Sequence, residues 1–305
     1  MIWNILSRRE ITVELPSNFN ASTMYQFVAH LLSEQRDAKC TKVYFDFSKV
    51  TFIEPVGIVV LSNLIEYLKK LGVSVWFKGH KIRTKCTTFL DDSGFFEQYL
   101  KSRIFTGSGL RSTTIPLKLI AQTEFTSYLY IKLMPWIGRE VGLSEQSLSA
   151  LRTSLEEIFH NVNDHSGVGV GCTFAQHYPN KKQIQIAVSD FGRGIPHVVR
   201  TKLPALKDSE ALKKACEEGF STQSNVRNRG AGLPNLMRYV TQRNDGTVLI
   251  ASGEANLSAC KGLNGTKLTS RTQSGFYPGT LVRVILRTDT LEQTAADAEL
   301  EPFEW

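Results

Sequence analysis

The residues best equipped for chemistry fall in four short segments of the C-terminal half. The first, Glu156-Glu157-Ile158-Phe159-His160-Asn161-Val162-Asn163-Asp164-His165, reads as helix. Glu157, Asn161 and His165 are four apart and share one helix face. Asn161 offers a neutral carbonyl oxygen, a hard ligand for Mg²⁺ that leaves room for phosphate oxygens. Glu157, one turn earlier, is placed to polarise a water or hydroxyl for attack on a γ-phosphate. Taken alone, the pattern is also that of a solvated helix face.

The second segment, Val188-Ser189-Asp190-Phe191-Gly192-Arg193-Gly194, puts an acid at a strand end before two glycines, a tight turn with close backbone approach. The Asp190 carboxylate can accept a hydrogen bond from the exocyclic amine of a base, which favours adenine. The third, Asn228-Arg229-Gly230-Ala231-Gly232-Leu233, opens a helix, and free N–H groups at a helix start attract phosphate. It lacks the Lys-Ser/Thr of a Walker A loop, and no strand feeds directly into it as a dinucleotide fingerprint requires. The fourth, Pro278-Gly279-Thr280, is by itself only a turn into a strand.

The elements that must hold these segments follow from periodicity. Residues 9–16 alternate as a strand, 21–35 repeat at helical spacing, and 42–47 form a nearly continuous β run. Residues 51–53, a turn at 54–57, an amphipathic helix over 58–71 capped by Gly72, a strand over 73–77, a helix near 87–90 and the segment 94–100 complete a small α/β unit. A polar, glycine-bearing stretch over 101–114 reads as linker. Helices are expected at 123–141 and 144–164, the second with Ser144 as N-cap. Strands follow at 168–178 and 183–189, helices near 208–218 and from 232 through Val240, and strands near 246–252 and 280–287. Helices grouped before strands predict an α+β second half.

In this order and spacing the four segments resemble the nucleotide-binding boxes of the GHKL ATPase superfamily, which includes gyrase B, Hsp-type chaperones, mismatch-repair ATPases, histidine kinases and anti-sigma serine kinases. The resemblance covers about 115–287 and implies a Bergerat α/β sandwich binding ATP and Mg²⁺. It implies Glu157 as general base and Asn161 as the Mg²⁺ ligand, with Asp190 reading adenine and Thr280 beside it through water. Gly192 and Gly194 would floor the pocket. A lid over about 219–232 would bring Gly230 and Gly232 to the phosphates, with Ser221, Thr222 and Arg229 as phosphate contacts or solvated lid side chains. The helix carrying Leu148, Leu151 and Leu155 before Glu157 is most similar to the anti-sigma kinase branch, where a His often stands at the position of His165.

Residues 42–100 resemble a STAS domain, the anti-sigma-factor antagonist fold, through Val43–Ile53, Gly57–Leu61 and Leu90–Phe96. In that family the turn reads Asp-Ser-Ser-Gly, and the hydroxyl before the glycine is phosphorylated. Here the turn is Glu54-Pro55-Val56-Gly57, and Val56 has no hydroxyl. The expected organisation is therefore a STAS-like domain over 1–105, a linker over 106–114, a GHKL domain over 115–287 and an acidic mobile tail over 288–305.

The remaining features bound the function. Five scattered cysteines without a C-x-x-C pair read as reduced thiols. There is no signal-peptide pattern, and the longest apolar run, Ile58–Leu61, is too short to span a bilayer, so a cytoplasmic protein with no membrane partner is expected. The net charge of +7 is spread without a run of more than two bases, so a nucleic-acid partner is open but not indicated. A protein partner of STAS or signalling type is expected, and a homodimer stays open. Three functions compete: a nucleotide-dependent interaction switch, a serine/threonine kinase acting on a STAS partner in trans, and a non-catalytic nucleotide sensor.

Overall fold

The computed structural model describes residues 9–156, 170–220 and 232–291. In the first part, β1 (Glu10–Glu14), β3 (Lys42–Asp46) and β5 (Ser74–Lys78) form a parallel sheet in the order β1-β3-β5. The short strands β2 (Asn18–Phe19) and β4 (Phe52–Ile53) pair beside it. Around these lie α1 (Met24–Leu31), α2 (Pro55–Lys70), α3 (Lys85–Asp92) and α4 (Phe95–Leu100).

Helix α2 differs from the amphipathic element expected. Every residue from Pro55 to Ile65 is buried, which only a helix clamped between two layers achieves. It also starts earlier than its periodicity suggests. Pro55 has no N–H to leave unpaired and sits in the first turn, so the stretch 55–57 is helix, not turn. Gly72, at φ +80°, does terminate the element.

The second layer belongs to the C-terminal half, an α+β arrangement. Five antiparallel strands run in the order β6-β7-β8-β10-β9: β6 (Thr114–Ala121), β7 (Val170–Tyr178), β8 (Gln183–Ser189), β9 (Thr247–Gly262) and β10 (Gly265–Arg287). Alternation splits this sheet cleanly. Ile184, Ile186, Val188, Val248, Ile250, Val282, Val284 and Leu286 pack with the C-terminal helices. Cys172, Phe174, Ala187, Ala251 and Leu281 join the core of the N-terminal half, with α2 lying on β7 and β8. Phe174, Phe191, Tyr277 and Leu281 are all buried in that shared core. Exposing such side chains costs about 2 kcal/mol apiece, so the halves form one mechanical unit.

The helical face carries α5 (Phe125–Tyr128), α6 (Met134–Val141), α7 over 149–156, and α10 (Gly232–Arg238). A π turn over Leu129–Leu133 joins α5 to α6 just before Pro135, whose ring and missing N–H disfavour an unbroken α-helix there. Ser144 Oγ accepts the Ser147 N–H at 3.3 Å, but this caps a turn over 145–148, and the helix expected to open at Ser144 begins only at 149. Two short helices, α8 (Ile195–Arg200) and α9 (Asp208–Ala215), cover the end of β9.

Three features depart from the periodicity. β6 was hidden beside the linker because Pro116 interrupts its alternation; a register shift there turns Ile115 to the helical face and Leu117 to the N-terminal core. β9 and β10 extend far beyond 246–252 and 280–287, through a polar hairpin whose half-exposed faces carry little apolar pattern. Residues 288–291, expected as the start of a mobile tail, are ordered instead, and 292–305 lie outside the described residues. Residues 288–291 make a helical turn with Leu291 in the core, and Asn244 Nδ2 donates to Thr290 Oγ1 at 2.9 Å. No helix among the described residues is long and apolar enough to cross a membrane.

Candidate functional site

β8 runs buried through the sheet and delivers Asp190 at its C-terminal end, where the Asp190 N–H donates to the Thr280 carbonyl at 2.9 Å. Phe191 then turns into the shared core, edge-on to Tyr277 at 5.2 Å and to Tyr67 at 5.6 Å. With the following residue so anchored, the chain folds back and the Gly192 N–H donates to Asp190 Oδ1 at 2.5 Å, a local Asx turn.

Glycines allow the rest. Gly194, at φ +81°, has Ser252 Oγ 2.6 Å and the Gly279 carbonyl 2.9 Å from where a Cβ would stand. Gly279, at φ +87°, would put a Cβ 2.4 Å from the Asp190 carbonyl oxygen and 2.7 Å from Asp190 Oδ1. Ser252 ties the segments together, its Oγ donating to the Gly279 carbonyl at 2.5 Å and accepting the Ile195 N–H at 3.1 Å. Three backbone segments thus converge on one carboxylate.

Asp190 is 1% exposed, and its Oδ2 has no hydrogen-bond partner among the described residues. Burial pushes the carboxyl up to about 7, against the opposing pull of the Gly192 and Thr280 N–H groups and the Arg36 charge. A buried acceptor left unpaired is costly and uncommon, and a carboxyl so perturbed marks a binding-site candidate. In its ionised form the carboxylate would accept a hydrogen-bond donor at Oδ2.

Arg36 reaches this turn from the N-terminal half. Its Nη1 donates to the Gly192 carbonyl at 2.6 Å and its Nη2 to the Arg193 carbonyl at 3.1 Å. Arg36 sits at φ +69°, and the Tyr67 hydroxyl donates to its carbonyl at 3.3 Å. Nothing local in the sequence marks Arg36 or Ser252 as part of the site, since both arrive by tertiary packing. Gly279 was visible in Pro278-Gly279-Thr280, but that segment lies inside β10 at a register shift and is not a turn before it.

Of the expected site residues, Asp190, Gly192, Gly194 and Thr280 come together here. Gly232 opens α10, which packs on β9 and β10. Glu157, Asn161, His165, Ser221, Thr222, Arg229 and Gly230 lie outside the described residues. Among the described residues no group of three His, Cys, Asp or Glu side chains could hold a metal.

The first turn of α2, expected as a loop, is closed to chemistry. Val56 is fully buried, and a Cβ on Gly57 would meet the Phe19 carbonyl at 2.6 Å. Glu54 faces Arg283 of β10 at 3.7 Å.

Comparison with known proteins locates one family. The STAS domain model matches residues 4–107, about a third of the chain. None of the curated proteins matches it. Among solved structures, one described as the crystal structure of the N-terminal domain of a DNA repair protein is 18% identical over 38% of this chain, with a TM-score of 0.17. The chain spans only 31% of that structure's length. The identification therefore stops at an N-terminal STAS domain seated on an antiparallel α+β sheet.

Proposed function

We propose that this chain is a regulatory module that binds ATP·Mg²⁺ in its C-terminal half, in the manner of GHKL ATPases, and that nucleotide state switches its interactions with a protein partner. The observation that carries the reading is the unpartnered Oδ2 of Asp190, held in a glycine cradle. An adenine exocyclic amine is a donor of the right kind. It would satisfy the orphaned acceptor and favour the ionised carboxylate. Asn161 would hold Mg²⁺ and Glu157 would act as base; ATP and the metal together supply phosphoryl-transfer chemistry.

The STAS domain supports a regulatory, protein-interacting role. Arg36 supplies a route between the halves, because it grips the same turn that the base would touch. A ligand that shifts Gly192 or Arg193 changes how the STAS domain is held, which is the differential contact a switch requires. The buried, hydroxyl-free start of α2 at Val56 weighs against phosphoryl transfer in cis.

Titration calorimetry with Mg-ADP tests the reading: binding is expected for the wild type and none for Asp190→Asn, and no heat at millimolar nucleotide would sink it. Glu157→Ala should bind yet lose turnover; wild-type phosphate release from that variant would remove Glu157 as base. With labelled ATP and a STAS partner, free phosphate supports the switch and label on a Ser or Thr supports a kinase in trans.

A further inference from the structure

We propose that the cavity at the seam between the two halves receives this chain's own acidic C-terminal segment, residues 292–305. The cavity, of about 490 Å³, opens between β4, the start of α3, the connector before β6, and the end of β7 with the turn after it. Its apolar lining is Phe52, Ile53, Phe89, Tyr178 and Pro179. Among the described residues three permanent cations line it, Lys85, Arg111 and Lys181, and no carboxylate does.

Two of those cations already lie over aromatic rings, Arg111 5.3 Å from Phe89 and Lys181 5.5 Å from Tyr178. Asp92 outside the cavity holds Arg111 at 2.8 Å. Phe52 stays 42% exposed at the rim. Apolar rings edged by Lys85 and Lys181, with Arg111 shared with Asp92, suit an occupant that is anionic and aromatic at once.

Residues 292–305 have that chemistry. They contain Glu292, Asp297, Glu299, Glu301 and Glu304, no Lys, Arg or His, and the aromatic pair Phe303 and Trp305. They also start in the right place. The Thr288 N–H donates to the Lys182 carbonyl at 3.0 Å, and the Asp289 carboxylate lies 3.8 Å from Lys182 Nζ. The chain therefore leaves β10 beside the 179–182 turn, whose residues Pro179 and Lys181 line the cavity. Tethering gives an effective concentration on the order of millimolar, so modest contacts suffice. The docked segment bridges Phe52 and Lys85 of the STAS domain to Tyr178 and Lys181 of the sheet.

Carbodiimide coupling of carboxylates to lysines in the full chain, read by peptide mass spectrometry, tests this. Lys85 is the informative amine because it lies on the STAS side of the seam. An amide between Lys85 and Glu299, Glu301 or Glu304 is expected, with its yield falling at least about fivefold in 1 M NaCl, as screening requires, or in the double variant Phe303→Ala, Trp305→Ala. The difference in emission between wild type and Trp305→Phe should be that of a shielded indole, and should red-shift in Lys85→Glu, Lys181→Glu. Tail carboxylates that couple to other lysines or to none, together with the emission of a water-exposed indole, would overturn the proposal. So would Lys85 cross-links found only between isotopically distinct chains.

Discussion

Two buried aspartates, one in each half, define the difference between a scaffold and a site. Asp91 in α3 is 0% exposed, and both its oxygens are engaged: the Ile104 N–H lies 3.1 Å from each, and the Phe105 N–H donates to Oδ2 at 2.9 Å. It closes the chain behind α4 and has nothing left to offer. Asp190, equally buried, uses one oxygen on its own turn and leaves the other unpaired. Burial is therefore the same, and satisfaction is what separates them. A saturated carboxylate holds structure together, whereas an unsaturated one in a glycine cradle marks a candidate site.

The comparison breaks most visibly with pH. The Asp190 carboxyl stands at about 7 in the folded protein against an ordinary 3.8. The native state therefore holds an extra proton between those values, and the stability this group contributes falls as pH rises through that window. At about 1.4 kcal/mol per unit the loss is at most roughly 4 kcal/mol between pH 4 and 7. Urea unfolding at several pH values should show this slope in the wild type and its absence in Asp190→Asn; an equal slope in both would refute the assignment. By the same linkage, binding of a base amine should tighten as pH rises towards 7.

Asp91→Ala should do the opposite kind of damage. It strands two backbone N–H groups, at a cost of about 2–4 kcal/mol in unfolding free energy, and should leave nucleotide affinity untouched in the folded fraction. Loss of affinity there would erase the distinction between the two aspartates. The finest test is Gly279→Ala. The left-handed backbone and the 2.4 Å approach to the Asp190 carbonyl oxygen predict a loss of about 1–3 kcal/mol, accompanied by weaker binding because the new Cβ would also stand 2.7 Å from the carboxylate Oδ1. Unfolding and calorimetry on one preparation read both.

Much of the site was legible as pattern. Asp190, Gly192 and Gly194 alone read as an ordinary β-turn and stood out only through the order of the four segments, and these residues do meet Thr280 in the fold. Arg36 was not legible: 154 positions separate it from Asp190, and an arginine in a surface loop carries no period. β6 escaped for a different reason. Its proline breaks the alternation that would reveal an edge strand. The β9–β10 hairpin escaped because strands with a solvated face need not be apolar.

Taken by itself, the amino-acid order determined most element types, the Asp190 turn with its spaced glycines and the loss of a hydroxyl at Val56, all of which depend on neighbours within a few residues. Only the tertiary structure decided that α2 is wrapped on all sides, that the STAS domain covers the back of the second sheet, and that Arg36 reaches the Asp190 turn. Hydrophobic burial is non-directional and proportional to area. It tells a chain which faces to hide but not which distant face will hide them.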